Sequence, residues 1–228
     1  KNGGSKDHHG VARHPGKLRP DAAIVACEGI PPRVDRMHEG EKVCNRLERP
    51  ADQIQVLSPT RKGTAGTAAL NHALQEAVNP PAPGKGEKVF GPLRFREGDR
   101  VMQVKNNYDL LWEKEDGEEG LGIFNGDIGV IELINRPSSS IIVRFDEGRR
   151  AEYSFDMAGE LELAYAITVH KSQGNEYDAV ILPLAEGRSR MYYRSLLYTA
   201  VTRAKKLLII LGSASAVRTM VQSHKRTR

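Results

Sequence analysis

The sequence predicts an α/β domain into which a small β-barrel is inserted, and three observations carry that reading. A short apolar strand, Ile54 to Leu57, runs into a helix with a single apolar stripe. Short strand patterns then crowd the stretch between Phe90 and Phe155. Beyond it, buried strands alternate with a helix up to Leu211, as an α/β layer requires.

Composition narrows the class. At 228 residues the chain is long enough to bury roughly 70% of its unfolded surface, so it needs no disulfide or metal staple. Its 39% hydrophobic and 28% charged residues are ordinary for a soluble domain. No apolar run approaches the roughly 18 residues of a membrane span, and no basic-then-apolar leader opens the chain, so a cytoplasmic location without a membrane partner is expected. A net charge of +5 suits a polyanion but does not single one out. Cys27 and Cys44 are two ligands short of a zinc site, with only His8, His9, His14 and His38 to complete it, so neither metal nor disulfide is expected.

The elements follow in order. Residues 1–22, rich in Gly, His, Lys and Pro, read as a flexible arm. Ala23 to Cys27 is one strand whose sheet the sequence leaves open. Leu70, Ala73, Leu74, Ala77 and Val78 recur at helical spacing, so residues 23–89 form the first part of the α/β domain. The loop between strand and helix, Ser58 to Gly66, combines two glycines with Arg61 and Lys62, a composition able to approach phosphate. Alone, those two cations read as solvated charges.

Pro80, Pro81 and Pro83 end the helix. Strands at 100–104, 122–124, 128–134, 141–145 and 151–155 then make the barrel, placed over residues 90–158, with Asn125-Gly126 as a tight turn. Residues 159–223 return to the α/β domain. Leu161, Leu163, Tyr165 and Ile167 alternate as one buried strand, a helical turn opens at Thr168, and Ala179 to Leu182 is a second core strand. The polar residues between them would lie at a strand's carboxyl end, where open α/β sheets bind ligands. Tyr193, Leu196, Leu197, Ala200, Val201 and Ala204 define a helix, with Thr199 and Arg203 on another face. Leu207 to Leu211 is a buried strand, Ser213 caps a last helix, and 224–228 is a basic, solvated tail.

Three stretches carry a family resemblance. Thr168-Val-His-Lys-Ser-Gln-Gly-Asn-Glu176 resembles motif V of RecD-like superfamily-1 DNA helicases, the exodeoxyribonuclease V alpha subunit type. Leu196 to Leu211 resembles motif VI, and Gln55 to Gly66 resembles motif IV, in the family's order. The resemblance implies a second RecA-like motor domain of P-loop NTPase type with an inserted SH3-like barrel. It implies 5′-to-3′ movement on single-stranded DNA, with ATP and Mg²⁺ as cofactors.

Residue by residue, the resemblance makes Arg203 the catalytic arginine finger, a role suited to a guanidinium that stays charged and bridges phosphate oxygens. It brings Gly174 and Glu176 to the nucleotide, Glu176 on a ribose hydroxyl, with Arg61 or Lys62 at the terminal phosphate. Thr168, His170 and Ser172 would meet the DNA backbone. Beside the strand, the barrel offers Asn107 and Tyr108, although a solvated hairpin end explains Asn106 to Tyr108 equally well.

Phosphoryl transfer also needs a phosphate cradle and a magnesium ligand. No G-x-x-x-x-G-K-[ST] occurs, and no apolar strand ends in an Asp-Glu pair of the Walker B kind; Asp156 and Asp178 read as turn residues. Half a nucleotide site is therefore expected, completed by an N-terminal RecA-like motor domain that would hold Mg²⁺, with other recombination or repair nuclease subunits as further partners. Two rival readings share these motifs: an inactive single-stranded DNA-binding or partner-docking module, and the helicase region of a conjugative relaxase.

Overall fold

The computed structural model describes residues 53–185 and 191–223, and the backbone of residues 23–27. The arm expected over 1–22, Cys44, His8, His9, His14 and His38, and the tail at 224–228 lie outside the described residues. No helix among the described residues is long and apolar enough to cross a membrane.

Strands β1 (Ala23–Cys27), β2 (Ile54–Ser58), β12 (Ala166–Thr168), β13 (Tyr177–Pro183) and β14 (Ala204–Leu211) form one sheet in the order β1-β14-β13-β2-β12. Every pairing in it is parallel, and the strand the sequence left open, β1, lies beside β14. Successive side chains point to opposite faces. Val180, Leu182, Leu208 and Ile210 pack with helices α2 (Arg194–Val201) and α3 (Ala214–Gln222), while Ala179, Ile181, Leu207 and Ile209 face Leu70 of α1 (Thr67–Val78). Burial on both faces explains the uninterrupted apolar runs.

The second sheet is antiparallel and seven-stranded, in the order β11-β5-β8-β9-β10-β6-β7. Its strands are β5 (Arg100–Gln103), β6 (Asn107–Glu113), β7 (Glu119–Ile123), β8 (Ile128–Asn135), β9 (Ser140–Phe145), β10 (Arg150–Ser154) and β11 (Leu161–Leu163). It encloses Val101, Ile123, Ile131, Ile141, Phe145 and Tyr153. A hairpin of β3 (Glu87–Phe90) and β4 (Leu93–Arg96) adds Phe95 to that core.

Several expectations change. The strand expected from Leu161 to Ile167 is two strands in different sheets: Leu163 pairs with Val101, and Ala166 pairs with Val56. Alternation is blind to which partner a strand meets. The helix expected through Ala204 ends at Val201, because Ala204 already belongs to β14. On α1 Val78 is exposed and the polar Gln75 is buried instead. Asp178 sits in β13 and pairs with Lys206 at 2.5 Å, so it is not a turn residue. Ser213 does cap α3, its Oγ accepting from the Ala216 N–H at 3.3 Å.

The chain passes between the sheets twice, at 79–99 and at 164–165, and one buried polar network ties both crossings. Asp99 is fully buried. Its Oδ1 accepts from Asn79 Nδ2 at 2.7 Å and the Tyr165 hydroxyl at 2.9 Å; its Oδ2 accepts from Gln75 Nε2 at 2.5 Å and the Arg96 N–H at 2.7 Å. Burial pushes its carboxyl above the usual carboxylate range, against the pull of those donors. Arg96, also buried, pairs with Glu76 at 2.7 Å and with Glu87, and its hydrogen bond holds the Glu76 carboxyl below the usual range. Asn71 clamps the return crossing, donating at 2.9 Å to the carbonyls of Leu163 and Ala166 and accepting from the Ala166 N–H at 2.7 Å.

Candidate functional site

The strand registers put the sequence-predicted residues on two edges of the parallel sheet. Ser58 and Thr168 are the last residues of paired strands, so the loops 59–66 and 169–174 leave together from the carboxyl edge. Tyr177 and Ala204 are the first residues of paired strands, so residues 174–176 and Arg203 stand at the amino edge. The expectation that all the polar groups share a carboxyl edge is thus corrected: the segment after Thr168 crosses from one edge to the other. It does so through overlapping turns, with the N–H groups of Lys171 and Ser172 donating to the Thr168 carbonyl at 2.9 and 3.2 Å and that of Asn175 to the Ser172 carbonyl at 3.2 Å, and no helix follows.

At the amino edge a polar cleft of about 630 Å³ is lined by Gly174, Asn175, Glu176 and Arg203 on one side and Asp127, Asp146 and Arg149 of the antiparallel sheet on the other. This size lies within the roughly 300–1,000 Å³ of small-ligand sites. Arg203 follows α2 and is laced to the turn before β13. Its Nη1 donates to the Asn175 carbonyl at 3.0 Å, its Nη2 to Thr202 Oγ1 at 3.3 Å, and its own carbonyl accepts from the Tyr177 N–H at 2.8 Å. Its Nε is buried without a hydrogen-bond partner, and no carboxylate pairs with it among the described residues. A positioned guanidinium with unspent charge suits an incoming phosphate. Gly174, at φ 92°, gives the turn a left-handed residue beside this opening.

At the carboxyl edge, Arg61 and Lys62 are exposed and do not line the cleft. Arg61 pairs with Glu162 at 2.9 Å, and Glu162 also takes Lys171 at 3.0 Å, so one carboxylate joins the two loops. The loop is tight: a Cβ at Gly66 would lie 2.5 Å from the Lys62 carbonyl carbon, which only glycine avoids. His170 is exposed, its Nε2 3.3 Å from the Tyr193 hydroxyl, and Thr168 Oγ1 accepts from the Lys171 N–H at 3.3 Å. Ser172 is a correction. It is fully buried and its hydroxyl donates to the Val169 carbonyl at 2.8 Å, so as folded it supports the loop and cannot touch a DNA backbone.

On the antiparallel sheet, Tyr108 is 65% exposed and meets Phe124, itself 42% exposed, edge to face at 5.6 Å between centroids. Asn107 is partly engaged, donating to Glu160 at 3.1 Å. Sequence reasoning missed Phe124, Asp127 and Arg149. Asn125-Gly126 announced a turn beside Phe124 and Asp127, but Arg149, in a Gly-Arg-Arg stretch between strands, carried no signal of its own.

Residues 163–211 match the UvrD-like helicase C-terminal domain, and residues 70–145 match the SH3 domain of ATP-dependent RecD-like DNA helicases. The two matches, set on this fold, define the class: a helicase C-terminal domain with an inserted SH3 domain. The ATP-dependent RecD2 DNA helicase of Deinococcus radiodurans is 37% identical over 163 residues, covering 72% of this chain and 20% of that protein. The RecBCD enzyme subunit RecD of Mycobacterium tuberculosis is 29% identical over 170 residues, 75% of this chain and 26% of the subunit. The chain belongs to the RecD-like helicase family. It spans about a quarter or less of the length of these relatives. The Bacteroides Pif1 helicase, in a crystal structure with ADP-AlF3 and ssDNA, shares the fold at 17% identity and a TM-score of 0.50, covering 86% of this chain and 52% of that one.

Proposed function

We propose that this chain is the C-terminal motor half of an ATP-dependent 5′-to-3′ DNA helicase acting in the cytoplasm. The observation that carries the reading is the cleft at the amino edge, which gathers Gly174, Glu176 and Arg203 around one opening. Arg203 is the arginine finger, Glu176 accepts from the nucleotide's ribose, and Gly174 lets the backbone approach phosphate. The phosphate cradle and the Mg²⁺ ligands belong to an N-terminal RecA-like domain that closes over this cleft. Bound there, ATP with Mg²⁺ supplies the phosphoryl group whose transfer drives domain closure.

Residues 23–89 and 159–223 make up the motor half, residues 90–158 the barrel. Single-stranded DNA runs past Thr168 and His170 and over Asn107 and Tyr108 of the barrel. Arg61 and Lys62, at the opposite edge from the cleft, act on the nucleotide only if the closing domain brings it there. The M. tuberculosis relative is named as a subunit of the RecBCD enzyme, which supports recombination or repair nuclease subunits as partners here.

The test is ATP turnover. The isolated chain is expected to hydrolyse no ATP and to acquire turnover only when joined to a P-loop domain; hydrolysis by the isolated chain overturns the reading. A second reading, an inactive strand-binding module, is favoured by the exposed Tyr108 and Phe124, which need no nucleotide, and would show no turnover even with the P-loop domain present.

Both readings expect Tyr108→Ala to weaken oligo(dT) binding by ~1–3 kcal/mol at fixed salt, the usual worth of one stacked base. Fluorescence anisotropy measures it. Unchanged affinity would remove Tyr108 from the track.

A further inference from the structure

The cleft has a wall that the family motifs do not account for. Asp127, Asp146 and Arg149 come from the inserted antiparallel sheet, yet they face the same opening as Arg203. Arg149 is only 18% exposed at its side chain, and its contacts are slack. Nη1 and Nη2 both reach the single oxygen Oδ2 of Asp127 at 3.4 Å, and Nε reaches the Asp146 carbonyl at 3.4 Å. Its neighbours Arg144 and Arg150 hold Glu132 at 2.6 Å. A guanidinium that is nearly buried but poorly paired has strong donors to give to a better acceptor, and a phosphate or polyphosphate is one it can bind through two parallel bonds.

Asp127 looks the other way as well. The same Oδ2 accepts from the Phe124 N–H at 3.1 Å, and the Asp127 N–H donates to the Phe124 carbonyl at 3.0 Å. Phe124 is the ring that meets Tyr108, and Asn106 links Tyr108 to this turn, donating to the Tyr108 hydroxyl at 3.1 Å and accepting from the Asn125 N–H at 2.9 Å. One carboxylate thus stands between a cation of the cleft and the exposed aromatic pair.

We propose that Arg149 is a second phosphate-binding cation of the nucleotide cleft, supplied by the inserted barrel, and that Asp127 couples its engagement to the Tyr108–Phe124 pair. The inference rests on the reading of this cleft as the nucleotide site. When a nucleotide takes Arg149, Asp127 loses its partner and the turn carrying Phe124 is free to adjust; when a strand stacks on the aromatic pair, the reverse holds. Such coupling is reciprocal between the two ligands.

The experiment uses the full-length protein that carries this chain, with ATP turnover, binding of a fluorescent non-hydrolysable ATP analogue, and oligo(dT) binding as readouts. Arg149→Gln is expected to raise the KM for ATP and the analogue's Kd about tenfold or more, as for loss of one charge-assisted hydrogen bond, with kcat changing less than about threefold. Values within about twofold of the unaltered protein overturn the role of Arg149. Should Arg149→Gln fail to fold, Arg149→Lys decides, since it keeps the charge but not the fork: a smaller rise in KM supports the role and an unchanged KM overturns it.

Asp127→Ala addresses the coupling. The factor by which the saturating analogue changes the oligo(dT) Kd is expected to shrink towards one; an unaltered factor overturns the link. Arg203→Ala run in parallel separates the two levels. If Arg203→Ala abolishes turnover while Arg149→Gln changes nothing, only the second cation is wrong; if neither changes turnover or nucleotide binding, the cleft is not the nucleotide site.

Discussion

Arg203→Ala is expected to lower ATP turnover of the full-length protein by ~10³-fold or more, with nucleotide affinity changing far less, because an arginine finger acts on charge that develops in the transition state. The geometry is the reason for so large an effect. The guanidinium is pre-placed by the Asn175 carbonyl and Thr202, its Nε is unpartnered, and no carboxylate among the described residues competes for it. Little reorganisation is then needed when the phosphoryl group arrives. Lysine should not rescue, since a point charge cannot both hold the Asn175 carbonyl and bridge two phosphate oxygens. Steady-state hydrolysis with and without oligo(dT) measures it; a variant retaining turnover within about tenfold of the unaltered protein sinks the assignment.

Asp99→Ala is expected to destabilise this chain by ~3 kcal/mol or more, since each buried donor left without an acceptor costs ~1–3 kcal/mol. Four donors are at stake: Gln75 Nε2, Asn79 Nδ2, the Arg96 N–H and the Tyr165 hydroxyl. Asparagine should rescue poorly, because its amide NH₂ must replace one acceptor oxygen and then faces a donor. Urea unfolding reads the loss. A cost below about 1 kcal/mol would mean that the two crossings between sheets are held by apolar packing and not by this network. The position also matters for function. Gln75 and Asn79 belong to α1 and its end, Arg96 to the hairpin, and Tyr165 to the return crossing, so loosening Asp99 frees the barrel to move against the sheet that carries Arg203.

Much of this was legible in local pattern. Strands β8, β9 and β10 fall within a residue or two of where short apolar runs put them, because a strand's alternation is written in neighbouring residues. The same holds for the extent of α1 and the Ser213 cap. Illegible were features that depend on residues far apart in the chain. Asp99, between Gly98 and Arg100, reads like any turn carboxylate until Gln75, Asn79 and Tyr165 close over it. Ser172 has the residue type of a phosphate contact, and only the fold shows it fully buried with its hydroxyl given to the Val169 carbonyl.

The sequence by itself pointed to the family and the alternation of elements, and it nominated Gly174, Glu176 and Arg203 as the groups proposed to meet a nucleotide, because they stand in motifs whose spacing is local. Tertiary structure decided where those groups go. Parallel strands begin at one edge and end at the other, so the short segment after Thr168 has to cross the sheet before β13 can start beside β2. That crossing separates Arg61, Lys62 and His170 from Arg203, and it brings Arg203 to Arg149 and Asp127 of a different sheet. Residues adjacent in a motif therefore face opposite edges, while Arg203 shares its cleft with Asp127, Asp146 and Arg149, each more than fifty residues away in sequence. No periodicity encodes that placement; it follows from strand direction and from how the two sheets are packed together.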